Sequence, residues 1–313
     1  MTPIPNVALV FPGQGAQFVG MGRDIYDAFP AARAIFDLAD KALGFALTQI
    51  SFAGPADRLC QTAYAQPAIV TFCLALLAAI RQSIRPLTTH FTAGHSLGEY
   101  SALAAAGALS THDAIQLAHR RGELMQQASN QTPGAMLAVL GLNESSLKTI
   151  CQETGVFIAN YNSPNQIVIS GPVPNIEVAG RLARERGASK VVPLQVRGAF
   201  HTPLMTLAAT KLANALDGVS WTSPSVPVIA NTTTIPLDNE GDIKKELVDQ
   251  LTCPVQWQKG IEAMITFGIN TFVEIGPGKV LTGLIRSINP AVRTINLNNA
   301  AAVGNYITKG LAA

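Results

Sequence analysis

The segment Thr92-Ala93-Gly94-His95-Ser96-Leu97-Gly98-Glu99-Tyr100 sets a serine between two glycines at the spacing of a nucleophile elbow. Such an elbow is a sharp turn from a strand into a helix that lifts a serine hydroxyl clear of the sheet. The glycines are needed because a Cβ on either flank would collide with the neighbouring strand or helix. The required context is present: 90–93 can form a short strand, and 97–106 reads as a helix that Gly107 can end. The chemistry implied is attack of a hydroxyl on a carbonyl, through a covalent acyl-serine.

A serine hydroxyl is a weak nucleophile at neutral pH and needs a base within hydrogen-bond reach. The chain has five histidines. His95 is adjacent to Ser96, but neighbouring side chains at such a turn point apart, so it is expected to pack against or orient the elbow. His90 starts a strand, His112 lies in the first turn of a helix and His119 lies on a helix without a motif; all three are expected to be structural or solvated. His201 opens a segment after a strand, amid small residues, and follows the serine in the chain order of α/β-hydrolases. It is the candidate general base and acid. A developing oxyanion needs backbone donors. The elbow supplies the N–H of Leu97, and the Gly13-Gln14-Gly15 turn is suitably placed for a second. Spacing alone identifies neither the substrate nor a triad acid.

The elements that must position these residues alternate. Residues 6–11 form an apolar run typical of a strand buried on both faces, followed by the glycine-rich turn from Pro12 to Gln17. That turn is not a phosphate-binding loop, and no acidic residue completes a dinucleotide fingerprint. Helical patterns cover 25–43 and 66–81. Ser110-Thr111-His112-Asp113 reads as a capping box opening a helix to about 127. This helix carries Arg120 and Arg121, and an arginine on a helix is ordinarily solvated. From Gly134 the pattern is strand 135–140, helix 143–153, strand 156–159, strand 166–170, helix 175–186 and strand 190–195, the order of a ferredoxin-like unit. After Arg197, a helix over 203–216 precedes a strand over 226–230 entering Asn231. Helices over 243–251 and 256–267, a strand over 271–275 and a helix from Val280 complete the pattern. The expected fold is α/β: a large α/β-hydrolase-like subdomain with a parallel sheet, 1–130 and 197–313, and an inserted ferredoxin-like subdomain, 131–196.

The 313 residues are 48% hydrophobic and 13% charged, so a large core is available and disorder is not expected. A net charge of +2 without a Lys/Arg-rich run argues against nucleic acid as a partner. Met1-Thr2-Pro3-Ile4-Pro5 lacks the character of a signal peptide. The apolar run from Ala68 to Ile80, roughly 13 residues, is short of the ~20 a bilayer needs, so a buried helix is expected. Cys60, Cys73, Cys151 and Cys253 form no C-x-x-C pair, so neither a zinc site nor a disulfide framework is expected. The expectation is a cytoplasmic protein with no membrane partner and no metal.

The chain resembles the malonyl-CoA:acyl carrier protein transacylases of type II fatty acid synthesis, over 7–287. The resemblance rests on Phe11-Pro12-Gly13-Gln14-Gly15, Gln66-Pro67-Ala68, Gly94 to Tyr100, Arg121-Gly122 and Gly134-Ala135-Met136. It continues through Asn160-Tyr161-Asn162-Ser163-Pro164, Gly198-Ala199-Phe200-His201, Gln250-Leu251, Pro254-Val255-Gln256-Trp257 and Glu274 to Leu281. It implies a ping-pong transfer: Ser96 takes malonyl from malonyl-CoA, and the phosphopantetheine thiol of acyl carrier protein removes it. It also implies a Ser96–His201 dyad whose histidine is held by the main-chain carbonyl of Gln250, with Gln14 and Leu97 as oxyanion donors. Arg121 would bind the malonyl carboxylate, which reverses the reading from periodicity: a carboxylate in a water-poor pocket needs a fixed cation, and a guanidinium fork can hold both oxygens. Phe200 matches a position that is large when malonyl is preferred over methylmalonyl. Gln66, Asn162, Gln166 and Asn231 would be polar residues at or beside the pocket, although satisfying local backbone is an equal reading for Asn162, Gln166 and Asn231. No bound cofactor is implied, only malonyl-CoA and carrier protein as substrates, and a monomer. A basic patch for the acidic carrier protein is expected at the pocket mouth, with Lys190 and Lys279 as candidates. Arg197 departs from the small polar residue usual at its position, and no motif lies beyond Asn289.

Three other readings use the same residues. A serine hydrolase or thioesterase would replace the carrier thiol by water. A discrete acyltransferase of a polyketide synthase, or a malonate decarboxylase subunit, would share the chemistry. A catalytically dead docking module is disfavoured by intact Ser96, His201 and Arg121.

Overall fold

Val7–Phe11 is apolar throughout, and as strand β1 it is buried along its whole length, which a position at the centre of a covered parallel sheet demands. The computed structural model describes residues 6–82 and 87–310; the expectation for Met1 to Pro5 lies outside these. β1 pairs in parallel with β2 (Phe91–Gly94) on one side. The small sheet is built next in the chain, from β3 (Gly134–Leu140), β4 (Phe157–Ser163), β5 (Gln166–Pro172) and β6 (Lys190–Pro193). The chain then returns with β7 (Val228–Ile229), β8 (Pro236–Leu237), β9 (Thr271–Ile275) and β10 (Arg293–Leu297). The large sheet has the order β10-β9-β1-β2-β7-β8. Its strands are parallel except β8, which runs antiparallel to β7. The separate sheet has the order β4-β5-β3-β6 and is antiparallel at every pairing.

The helix Thr62–Arg81 is long and apolar enough to cross a membrane by length and composition alone, but 89% of its apolar window is buried inside the protein. It is therefore a core helix, and it starts four residues before the 66–81 expectation. Pro67 lies inside it and cannot donate to the Ala63 carbonyl four residues back. His119 Nδ1 takes that carbonyl at 2.9 Å, so His119 is structural and repairs the break. The facing helix, Thr111–Gln131, is capped by the Ser110 side chain, which accepts from the Asp113 N–H at 3.0 Å. At the crossing, a Cβ on Gly122 would sit 2.6 Å from the Thr62 carbonyl oxygen. Glycine thus allows the approach that brings Arg121 to Gln66.

Other boundaries moved for local reasons. The single helix over 25–43 is two, Arg23–Ala28 and Pro30–Leu43, because Pro30 forces Phe29 into an extended conformation. The 203–216 helix begins as a 3-10 turn, Pro203–Met205, and becomes α-helical at Thr206–Leu216. Beyond Asn289 lie β10 and a helix, Ala300–Lys309, capped by Asn299. The small sheet docks on the large one beside residue 255. Tyr161 donates to the Val255 carbonyl at 2.8 Å, and Val255 donates to that of Ala159 at 2.9 Å.

Candidate active site

The turn after β2 shows why its glycines are there. A Cβ on Gly94 would lie 1.8 Å from the Gly98 carbonyl carbon, and one on Gly98 would lie 2.1 Å from the Phe11 carbonyl oxygen. Between them Ser96 has φ 51, in the left-handed region that a residue with a side chain avoids. The helix Gly98–Ala105 follows at once. The turn's backbone is held by Asn231: Oδ1 accepts from the Ser96 N–H at 2.7 Å, and Nδ2 donates to the Gly94 carbonyl at 2.7 Å. The Ser96 N–H is therefore occupied. The N–H groups of Leu97 and Gln14 enter no internal hydrogen bond among the described residues, which leaves both able to serve an oxyanion.

Ser96 Oγ lies 2.8 Å from His201 Nε2. His201 Nδ1 lies 2.6 Å from the Gln250 main-chain carbonyl. A carbonyl only accepts, so the proton sits on Nδ1, and Nε2 keeps its lone pair for the Ser96 hydroxyl. Burial, and then the Arg121 charge, push the His201 pKa down to about 3. The imidazole is neutral at pH 7 and can accept a proton. His201 also has a left-handed backbone, with φ 59.

Arg121 is 1% exposed. Its Nη1 donates to Gln66 Oε1 at 3.0 Å, and its Nη2 to Gln250 Oε1 at 2.8 Å and to Ser96 Oγ at 3.0 Å. Its guanidinium carbon lies 5.9 Å from the centre of the Tyr100 ring. All of these partners are neutral, and Nε has no hydrogen-bond partner. A buried cation with donors to spare beside a serine hydroxyl is able to receive an anion.

These groups meet at a cavity of about 320 Å³, whose wall includes Gln14, Ser96, Arg121, Asn162, Phe200 and His201. Met125, Met136 and Val168 add apolar wall, and Gln166 lies beside Asn162. Asn162 Oδ1 is 2.8 Å from His95 Nε2, and Asn162 Nδ2 donates to Gln166 Oε1 at 2.7 Å. His95 thus anchors the wall of the small sheet to the elbow. Gln66 and Asn231 stand behind the lining: Gln66 joins Arg121 to Gln14, its Nε2 donating to Gln14 Oε1 at 3.2 Å. Lys279 is exposed next to Val280 at the rim, and Lys190 is exposed three residues before Pro193, which also lines the cavity. No group of three or more His, Cys, Asp or Glu that could hold a metal occurs among the described residues.

Glu99 received no role from the sequence. It is fully buried, and its Oε1 accepts from the Asn231 N–H at 2.7 Å and from Asn231 Nδ2 at 2.6 Å. Its Oε2 accepts from Gln250 Nε2. The available signal was a carboxyl three residues beyond the serine on a helix that otherwise reads as buried.

Residues 8–311 match the model of the acyl transferase domain. The chain is 44% identical to the malonyl CoA-acyl carrier protein transacylase of Bacillus subtilis over 303 residues, 95% of each chain. It superposes on an acyl-carrier-protein-S-malonyltransferase from Bartonella henselae with TM-score 0.93 and 41% identity, covering 97% of this chain and 98% of the other. A malonyl-transacylase in complex with its type II PKS acyl-carrier protein is also similar, with TM-score 0.91 and 36% identity, over 97% and 99% of the two chains.

Proposed function

This chain belongs to the acyl transferase domain family, and we propose that it transfers malonyl from malonyl-CoA to the phosphopantetheine thiol of acyl carrier protein, for fatty acid biosynthesis. The neighbouring site of Ser96, His201 and Arg121 carries the reading. Ser96 Oγ attacks the thioester carbonyl while His201 Nε2 takes its proton, and the oxyanion is met by the N–H groups of Gln14 and Leu97. The C–S bond breaks, and the CoA thiolate leaves with the proton from His201. In the second half His201 deprotonates the carrier thiol, which attacks malonyl-Ser96 and releases the serine. The Gln250 carbonyl steadies the Nδ1–H group of His201 throughout, without a carboxylate.

Selectivity follows from Arg121. The malonyl carboxylate supplies the anion that the buried guanidinium lacks, whereas a neutral acyl group leaves that charge unpaired. Phe200 and Asn162 shape the acyl and pantetheine space from the cavity wall, with Gln66 and Asn231 supporting it from behind. We read 1–130 and 197–313 as the α/β-hydrolase-like part and 131–196 as ferredoxin-like, a reading supported by the β4-β5-β3-β6 order. The enzyme is read as a cytoplasmic monomer.

Intact-mass spectrometry after exposure to malonyl-CoA tests the reaction. One malonyl adduct is expected, absent in Ser96→Ala, and it should persist until holo carrier protein is added. Spontaneous loss as free malonate would make the protein a hydrolase instead. The carrier protein in the similar complex is a polyketide one, so the discharge assay compares fatty acid and polyketide carriers; faster discharge to the latter would move the enzyme to that pathway.

A further inference from the structure

Arg121 is a buried cation whose hydrogen-bond partners are all neutral. A guanidinium taken out of water without a counter-charge is costly and becomes a weaker cation. Yet an acidic side chain placed directly on it would fill the fork that a substrate carboxylate needs. The nearest anion stands one amide away. Gln250 presents Oε1 to Arg121 Nη2 at 2.8 Å, and its Nε2 donates to Glu99 Oε2. The direction of this amide is fixed, because arginine only donates. Every contact to the Glu99 oxygens comes from a donor, two from Asn231 and one from Gln250. That pattern suits a carboxylate and leaves a carboxylic acid proton without an acceptor.

We propose that Glu99 is a positioning residue that acts on the acyl-group selectivity of Arg121 through the Gln250 amide. It polarises Gln250, which holds Nη2 in place and offsets the arginine charge, while the remaining donors stay open to the substrate. The same carboxylate grips Asn231, which holds both ends of the serine turn. One buried anion thus sets the relative positions of nucleophile and cation. Burial works against it, raising its pKa well above the usual carboxylate range, with Glu246 adding to the rise and Arg121 opposing it. Removal of its charge turns the relay against itself. In Glu99→Gln the new amide, accepting from Asn231 through its oxygen, presents its NH2 to the NH2 of Gln250. Gln250 then turns over and offers donors to Arg121.

The inference rests on Arg121 as the malonyl site, so Arg121→Ala is measured beside the test variants. Acylation of the full-length enzyme by malonyl-CoA and by acetyl-CoA is followed by intact mass in wild type, Glu99→Gln, Gln250→Met and the double variant. Both single variants should lower the malonyl-to-acetyl ratio of kcat/KM by at least about tenfold, mainly through KM for malonyl-CoA. In the double variant the two losses should not multiply, because both cut one relay. A purely structural Glu99 would slow both acyl groups together and leave the ratio unchanged, which would overturn the proposal, as would multiplicative losses. If Glu99→Gln does not fold, Gln250→Met alone decides: an unchanged ratio refutes the relay. If Arg121→Ala itself leaves the ratio unchanged, the malonyl reading fails, not merely the role of Glu99.

Discussion

Replacing Arg121 by alanine is the sharpest test of how this site selects its acyl group. The guanidinium is 1% exposed and spends its internal hydrogen bonds on Gln66, Gln250 and Ser96, while Nε has no partner. A carboxylate docking on the free donors would make two charge-assisted hydrogen bonds, each contributing about 1.5–3 kcal/mol. Their loss costs roughly 3–6 kcal/mol, and at about 1.4 kcal/mol per decade malonyl acylation should fall by roughly 10²- to 10⁴-fold. Acetyl-CoA has no carboxylate to lose. Moreover, the Arg121 charge helps to hold down the pKa of His201, so its removal strengthens the base. Acetyl acylation in Arg121→Ala should therefore be unchanged or faster. The assay is the initial rate of acyl-Ser96 formation with each thioester, read by intact mass beside a thermal melt. Arg121→Lys, which keeps the charge and loses the fork, should fall between wild type and alanine. An equal fall for malonyl and acetyl in a folded Arg121→Ala protein would refute the reasoning.

His201→Ala should slow acylation by malonyl-CoA by about 10²- to 10⁴-fold, the usual contribution of a positioned base; an unchanged burst rate would send the search to another base. Because folding lowers the His201 pKa from 6.5 to about 3, the unfolded chain takes up a proton first as the medium is acidified. The stability held above pH 6.5 is then lost as pH falls toward 3, by roughly 5 kcal/mol at most. Half-buried His95 is shifted in the same direction, so His201→Gln should reduce, not remove, the fall in melting temperature between pH 7 and pH 5. An identical fall in that variant would disprove the assignment. Gly98→Ala places a Cβ 2.1 Å from the Phe11 carbonyl oxygen, so it should destabilise the fold by about 1–3 kcal/mol and abolish malonyl labelling. Normal labelling would show that the turn can give.

The sequence revealed the pieces that local sterics dictate and missed those that depend on distant partners. The elbow was legible because its glycines, strand and helix are contiguous. His201 stood out by chain order and small neighbours, and the two-sheet organisation by its alternating pattern. Arg121 was not legible from periodicity. What buries it is the crossing of two helices at Gly122, against a helix about fifty residues earlier in the chain. The start of the 62–81 helix was missed because Pro67 usually marks a first turn; the group that repairs the break, His119, lies 52 residues away from it. Glu99 looked like an ordinary helix acid, and only the return of Asn231 and Gln250 to the elbow gives it partners.

Gln250 joins the two halves of the chemistry, with its main chain on His201 and its side chain on Arg121. These attachments differ in heritability. A carboxylate that orients a histidine can be erased by a single codon change, but every residue at position 250 carries a carbonyl. The partner of the base is therefore immune to substitution, while the contact to the cation is open to it. The Gln250 side chain also donates to the Ser96 carbonyl at 3.1 Å, so a change at this position reaches the cation and the serine turn together while the support of the imidazole stays in place.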